Sequence, residues 1–144
     1  MLWSLIFVAC PKIDQQAIRQ DDKEQVALRT AADRYWEGVR WGESSRVMEF
    51  IEDPLEKARF AASLQDVEYV DVKVLHAELD PKLEEESTNE TEIWRTGKVY
   101  VRTEKIDTSN VLRISENTQS WYRKANGWYV EVKNNEDSGQ QLSD

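Results

Sequence analysis

Few residues in this chain could do chemistry, and they lie far apart. The 144 residues include one histidine, His76, and one cysteine, Cys10. His76 follows Val70, Val72 and Val74 at alternate positions, so a regular strand would carry it on the same apolar side. An imidazole there is a general base if a pocket surrounds it, and a hydrogen-bonded core or rim residue if none does. The sequence names no partner for it. A zinc or other transition-metal site needs several converging ligands, which one histidine and one cysteine cannot supply. Glu84-Glu85-Glu86 could attract calcium, but the Asp/Asn/Gly spacing of a calcium loop is missing, and the run reads as a solvated loop. No Gly-x-Ser-x-Gly string occurs and the five glycines are scattered, so the chain has neither a nucleophile elbow nor a phosphate loop. We therefore expect no catalytic residue, no metal and no cofactor.

Charge narrows the partners. The net charge is −9 and the sequence pI about 4.7, and an acidic surface repels phosphate backbones, so no nucleic acid partner is expected. Hydrophobic residues are 40% and charged residues 33% of the chain, a balance that suits one folded domain.

The apolar run Leu2–Ala9 is too short to cross a bilayer, which takes about 20 residues, and fits the apolar region of a signal peptide, about 7–15 residues. Phe7-Val8-Ala9-Cys10 resembles the bacterial lipoprotein signal, in which a small residue precedes a cysteine that is lipidated. The resemblance implies lipidation at Cys10, attachment to a membrane through that lipid, and a place in the bacterial cell envelope. The organisation expected is a signal segment over 1–10, a polar linker over 11–22, a domain over 23–133 and a flexible tail over 134–144.

Within the domain, Leu28, Ala31, Ala32, Tyr35 and Val39 recur at helical spacing, which predicts a helix over Lys23–Val39 with Asp21-Asp22-Lys23-Glu24 as its cap. Gly42 breaks it. A short helix starting at Ser44 or Ser45 carries Val47, Phe50 and Ile51. Asp53-Pro54-Leu55-Glu56 opens a third helix that runs to about Leu64. From Val67 the period changes to two. One strand runs to Asp80-Pro81, a polar loop covers Lys82–Thr91, and a second strand spans about Glu92–Lys105. That second strand would put Ile93, Val99 and Val101 on one face and Trp94 and Tyr100 on the other. A third spans about Val111–Lys124, and Asn126-Gly127 predicts a hairpin into Trp128–Lys133. Helices followed by a meander predict an α+β fold, with N-terminal helices packed on a curved antiparallel sheet.

Two strings resemble the nuclear-transport-factor-two-like superfamily, the cone-shaped α+β domains that include ketosteroid isomerase. They are Tyr35-Trp36-Glu37-Gly38-Val39-Arg40-Trp41-Gly42-Glu43 and Ser120-Trp121-Tyr122-Arg123-Lys124-Ala125-Asn126-Gly127-Trp128-Tyr129. The resemblance spans about Lys23–Lys133 and implies a cystatin-like cone with a pocket between sheet and helices. It implies no reaction, because the fold hosts enzymes, binders and interaction modules. Aromatics are plentiful on the segments that line such a cone. The candidate ligand-binding set is Tyr35, Trp36, His76, Trp94, Tyr100 and Trp121. Plain core filling competes with that role for every tryptophan. The expected function is non-enzymatic binding of a small ligand or an envelope protein. The alternatives are an isomerase or dehydratase that uses the cone, and a structural homodimer.

Overall fold

The computed structural model describes residues 15–82 and 92–132. The order is α1 (Gln15–Trp41), α2 (Ser44–Met48), α3 (Pro54–Leu64), β1 (Glu68–Leu79), β2 (Arg95–Ile106), β3 (Leu112–Lys124) and β4 (Gly127–Val130). The strands form one antiparallel sheet in the order β1-β2-β3-β4. The sheet is curled, and the long helix packs on it, so the chain is α+β as expected.

Helix α1 buries Leu28, Ala32, Tyr35, Trp36 and Val39, the stripe that 3.6-residue spacing requires. It starts at Gln15, so residues 15–22, expected as linker, are helical. These turns bury no side chain of their own. Long-range contacts hold them instead: Arg95 Nη1 lies 3.2 Å from Asp21 Oδ1. At the other end, Gly42 takes φ +66°. Gly42 N donates to Val39 O at 3.3 Å and Glu43 N to Gly38 O at 2.8 Å, the paired bonds of a Schellman stop. Asp53 caps α3 by accepting from Leu55 N at 2.7 Å and Glu56 N at 3.4 Å, with Pro54 in the first turn.

Helix and sheet approach closely because of Gly97. A Cβ there would lie 2.6 Å from Leu28 Cδ2 and 2.8 Å from Glu78 O. A side chain at that point would push α1 off the sheet.

Strand β1 departs from regular alternation. Register shifts fall between Tyr69 and Asp71 and between Val74 and His76, leaving Val70 and Leu75 as the extra residues. Each bulge moves the following residues to the opposite face. Val72, Val74, Ala77 and Leu79 therefore turn inward, opposite Thr103, Val101, Val99 and Gly97. Val70 is exposed, and His76 points outward. The expectation of one uninterrupted apolar side through His76 is corrected here, and the second bulge is the reason. The free edge of β1 is partly occupied by α1: Arg29 Nη2 donates to Val74 O at 2.8 Å and Gln25 Nε2 to Ala77 O at 3.2 Å.

The last hairpin lies where Asn126-Gly127 predicts it, with a different turn. Lys124 pairs with Gly127, so Ala125 and Asn126 are the loop residues. Gly127 carries the unusual φ of +151°, and Asn110 is the one non-glycine residue with positive φ among those described. Trp121 pairs with Val130 and Tyr122 with Tyr129, which sends Trp121 inward and Tyr122 outward. Ile93 precedes β2 and is exposed, so it does not share the inner face with Val99 and Val101.

Candidate functional site

The core is largely aromatic at one end. Tyr35 meets Trp36, Phe50 and Trp121 edge-on, with centroids 5.3, 6.3 and 5.6 Å away, and lies tilted against Phe60 at 6.0 Å. Edge-to-face pairs of this kind add about 0.5–1.5 kcal/mol beyond area burial. Much of the cone is therefore filled by side chains. A cleft of about 300 Å³ opens beside Tyr35, lined by Phe60 of α3, Asn117, Gln119 and Ser120 of β3, and Val130, Glu131 and Val132. That volume is at the lower end for small-molecule sites.

Gln119 organises the cleft. Its Oε1 accepts from Trp36 Nε1 at 2.9 Å and, more weakly, from Trp121 Nε1 at 3.4 Å. The two indoles thereby fix which end of the amide is oxygen. Gln119 also lies close enough to the Tyr35 phenol to lower its pKa, which partly offsets the effect of burial on that group. Burial dominates, with Tyr69 nearby adding to it, and Tyr35 is held well above the ordinary tyrosine value. Tyr69 is itself raised by burial. The Tyr35 phenol thus stays protonated at the wall of the cleft, with a hydroxyl able to donate into it. Chemically the arrangement is a rigid neutral donor between aromatic walls. It suits an uncharged group bearing a lone pair, such as a carbonyl.

The six expected ligand residues do not meet. Tyr35, Trp36 and Trp121 are buried together around Gln119. His76 and Tyr100 lie on the opposite face of the sheet, stacked with ring centroids 6.0 Å apart. Tyr100 donates to Glu78 Oε1 at 2.8 Å, and this bond raises its pKa. His76 Nε2 sits 3.4 Å from Glu78 Oε2, and its side chain is 58% exposed. Trp94 stands 59% exposed at the end of the sheet near the start of α1. Tyr100, Trp94 and His76 therefore line no cone. Cys10 and Glu84–Glu86 lie outside the described residues.

Sequence reasoning missed Phe60, Asn117 and Gln119. Asn117, Gln119 and Trp121 alternate on β3, and they face Val101, Val99 and Gly97 of the inner side. The signal was a polar pair inserted in the inward series of a strand, which reads as solvent-facing when Trp121 has no fixed register. Two other grooves of about 290 Å³ each run along the α1–β1 seam. Their rims are charged and exposed, including Asp33, Glu37 and Arg40 in one and Arg29 and His76 in the other. The Tyr35 cleft differs in setting the buried Tyr35 of α1 beside the half-buried Gln119 of β3. Among the described residues, no group of three or more His, Cys, Asp or Glu is arranged to hold a metal ion, and no helix is long and apolar enough to cross a membrane. Comparison of the chain with protein-family models, with curated proteins and with solved structures finds no match in any of the three.

Proposed function

We propose that the domain binds a small uncharged ligand through a hydrogen-bond acceptor seated on Tyr35, without turning it over. On this reading it is held at the bacterial envelope by lipid on Cys10. The observation that carries the binding role is the Gln119 amide, whose oxygen accepts from two indoles beside the buried Tyr35 phenol. A buried polar cluster costs stability unless every member is satisfied, and the Tyr35 hydroxyl is the member that a ligand would complete. Burial keeps the phenol neutral through the physiological range, which suits donation to a ligand and not proton abstraction. The anchor rests on Phe7-Val8-Ala9-Cys10 and on acyl chains giving stable attachment when more than one is present.

The test of binding is a fragment screen of small ketones, amides and lactones, read by thermal shift and by the side-chain amide resonances of Gln119. Tyr35→Phe removes the donor and keeps the ring, so affinity for a hit should fall up to about tenfold, the value of one hydrogen bond. Equal affinity in Tyr35→Phe would move the ligand elsewhere. Product formation that disappears in Tyr35→Phe would make the domain an enzyme. For the anchor, the full chain is expressed in a bacterium fed labelled palmitate. Label should be present in the wild type and absent in Cys10→Ala, and an unlabelled wild type removes the anchor from the proposal.

A further inference from the structure

The sheet has two open edges, β1 and the part of β3 that the short β4 does not reach, and they are treated differently. On β1, two bulges break the ladder, and Arg29 and Gln25 of α1 donate to the carbonyls of Val74 and Ala77. Bulges and covering side chains keep an edge from pairing with another chain. Strand β3 has neither. It pairs with β2 from Leu112 to Arg123 without a register shift, and β4 covers only its end, from Trp121 to Lys124. Glu131 adds one bond, from its N–H to Ser120 O at 2.9 Å. Among the described residues, no strand pairs with the open side of residues 112–118. That stretch contains no proline, glycine or lysine, and its Leu112 and Ile114 are more than half exposed.

Backbone alternation decides what this edge offers. Ser120 turns its carbonyl toward Glu131. In an antiparallel ladder the N–H and C=O groups of Thr118, Glu116, Ile114 and Leu112 then point to that same side, and those of Asn117, Ser115 and Arg113 point to β2. A two-fold axis normal to the sheet sets two such edges antiparallel, inner side beside inner side. Charge and length then select the register. Arg113 against Arg113, or Glu116 against Glu116, opposes like charges. Ile114 against Ile114 leaves Thr118 without a strand partner, because Asn110 would face it and lies in the turn at φ +61°. Ser115 against Ser115 avoids both faults. Leu112 then faces Thr118, Arg113 faces Asn117 and Ile114 faces Glu116, and every edge donor and acceptor from Leu112 to Thr118 is paired. The two Ile114 side chains become diagonal neighbours on the outer face. The stretch is thus complementary, over its whole length, to a second copy of itself.

From this self-complementarity we propose that two copies of the chain pair antiparallel along β3, with Ser115 at the two-fold axis, and join their four-stranded sheets into one. The pairing also brings the second copy to the candidate site. Asn117 and Thr118 line the Tyr35 cleft, and the partner's Arg113 and Leu112 stand opposite them. Neither ligand nor lipid enters this pairing. The test uses the full chain. Sedimentation should show a dimer that dissociates on dilution. Residue-resolved hydrogen exchange should show the amides of Ile114, Glu116 and Thr118 protected in the dimer and fast in the monomer. Those of Arg113, Ser115 and Asn117, bonded to β2, should stay protected in both. Glu116→Pro removes an edge donor and leaves the β2 ladder whole, so it should abolish the dimer. Asn117→Arg sets an arginine against the partner's Arg113 at two symmetric places and should weaken the dimer roughly fivefold, whereas Asn117→Asp should tighten it by a similar factor. These two variants decide the register even if Glu116→Pro fails to fold. A chain that is monomeric at every concentration overturns the proposal. So does a dimer whose Glu116 and Thr118 amides exchange freely, one that survives in folded Glu116→Pro, or one that Asn117→Arg leaves unchanged. Protection of the edge amides in the monomer overturns it as well, since the chain would then cover its own edge.

Discussion

The two faces of the sheet use the same strands and similar residue types to opposite ends. The inner face, through Val74, Ala77, Val99, Val101, Trp121 and Val130, joins one buried cluster with α1. Its aromatics meet edge-on, and the Trp36 and Trp121 indole nitrogens are tied to Gln119. On the outer face, one position away along each strand, rings lie flat on each other: His76 on Tyr100, and Tyr122 on Tyr129 at 5.9 Å. Their hydroxyls go to carboxylates, Tyr100 to Glu78 and Tyr122 to Glu52. Burial stabilises by about 25 cal/mol per Å² of apolar surface, whereas exposed polar pairs contribute about 0–1 kcal/mol each. Aromatic content alone thus says little about stability or binding. The face decides, and the register decides the face.

The sharpest way to break this contrast is a pair of truncations on adjacent strands. Trp121→Ala empties a site that is 1% exposed and removes two edge-to-face partners, Tyr35 and Phe50. A loss of about 3–5 kcal/mol is expected in chemical denaturation. Tyr100→Ala removes an outer ring and one hydrogen bond to an exposed carboxylate, and should cost under about 1 kcal/mol. Similar losses from the two variants would mean that the outer face is covered in solution.

A second test sets the inner face against pH. Tyr35 keeps its proton in the folded domain far above the ordinary value of 10.0, because ionising it means burying a charge. The unfolded chain gives that proton up near 10.0, so the group favours folding fully below that value and progressively less above it. Thermal midpoints should fall as the solution passes pH 10, and Tyr35→Phe should flatten the fall. Tyr122, raised by burial and then by its bond to Glu52, contributes in the same direction from the outer face. The decisive comparison is therefore Tyr35→Phe against Tyr122→Phe, with the larger flattening expected from Tyr35. The reverse order would put the better-sealed phenol on the outside.

Legibility in the sequence followed how local the causes were. Asp53-Pro54 and Gly42 act within four residues of themselves, and both ends fell where expected. Leu28, Ala32, Tyr35 and Val39 repeat often enough to declare a buried side. The start of α1 did not show, because its first turns are polar and are held by Arg95, which is 74 residues from Asp21. Asp21-Asp22-Lys23-Glu24 accordingly looked like a cap. The two bulges of β1 carry no glycine or proline to announce them, so His76 kept its alternating place on paper and lost it in the sheet. Gln119 was invisible as a site residue for a similar reason. Its value lies in two indoles, one of them 83 residues distant, and nothing near it in sequence indicates that meeting.

The smallest expected effect lies on the outer face, at Glu52. Its carboxylate takes Lys124 Nζ at 2.8 Å and the Tyr122 hydroxyl at 2.8 Å. The Lys124 bond is the main influence holding its pKa below the usual carboxylate value. One third of the Glu52 side chain remains exposed, so solvent screens most of the attraction, and Glu52→Gln should cost only about 0.5 kcal/mol. The pH dependence runs opposite to that of Tyr35. A carboxyl lowered in the folded state favours folding above its unfolded value, and the benefit disappears as pH falls through the folded value. The gap between wild type and Glu52→Gln should therefore be constant at neutral pH and close in acid. Salt should narrow it as well, since the pair is within reach of counterions. A gap that persists in acid and in high salt would show that Glu52 acts through packing of Tyr122, and the outer face would then share the chemistry of the inner one.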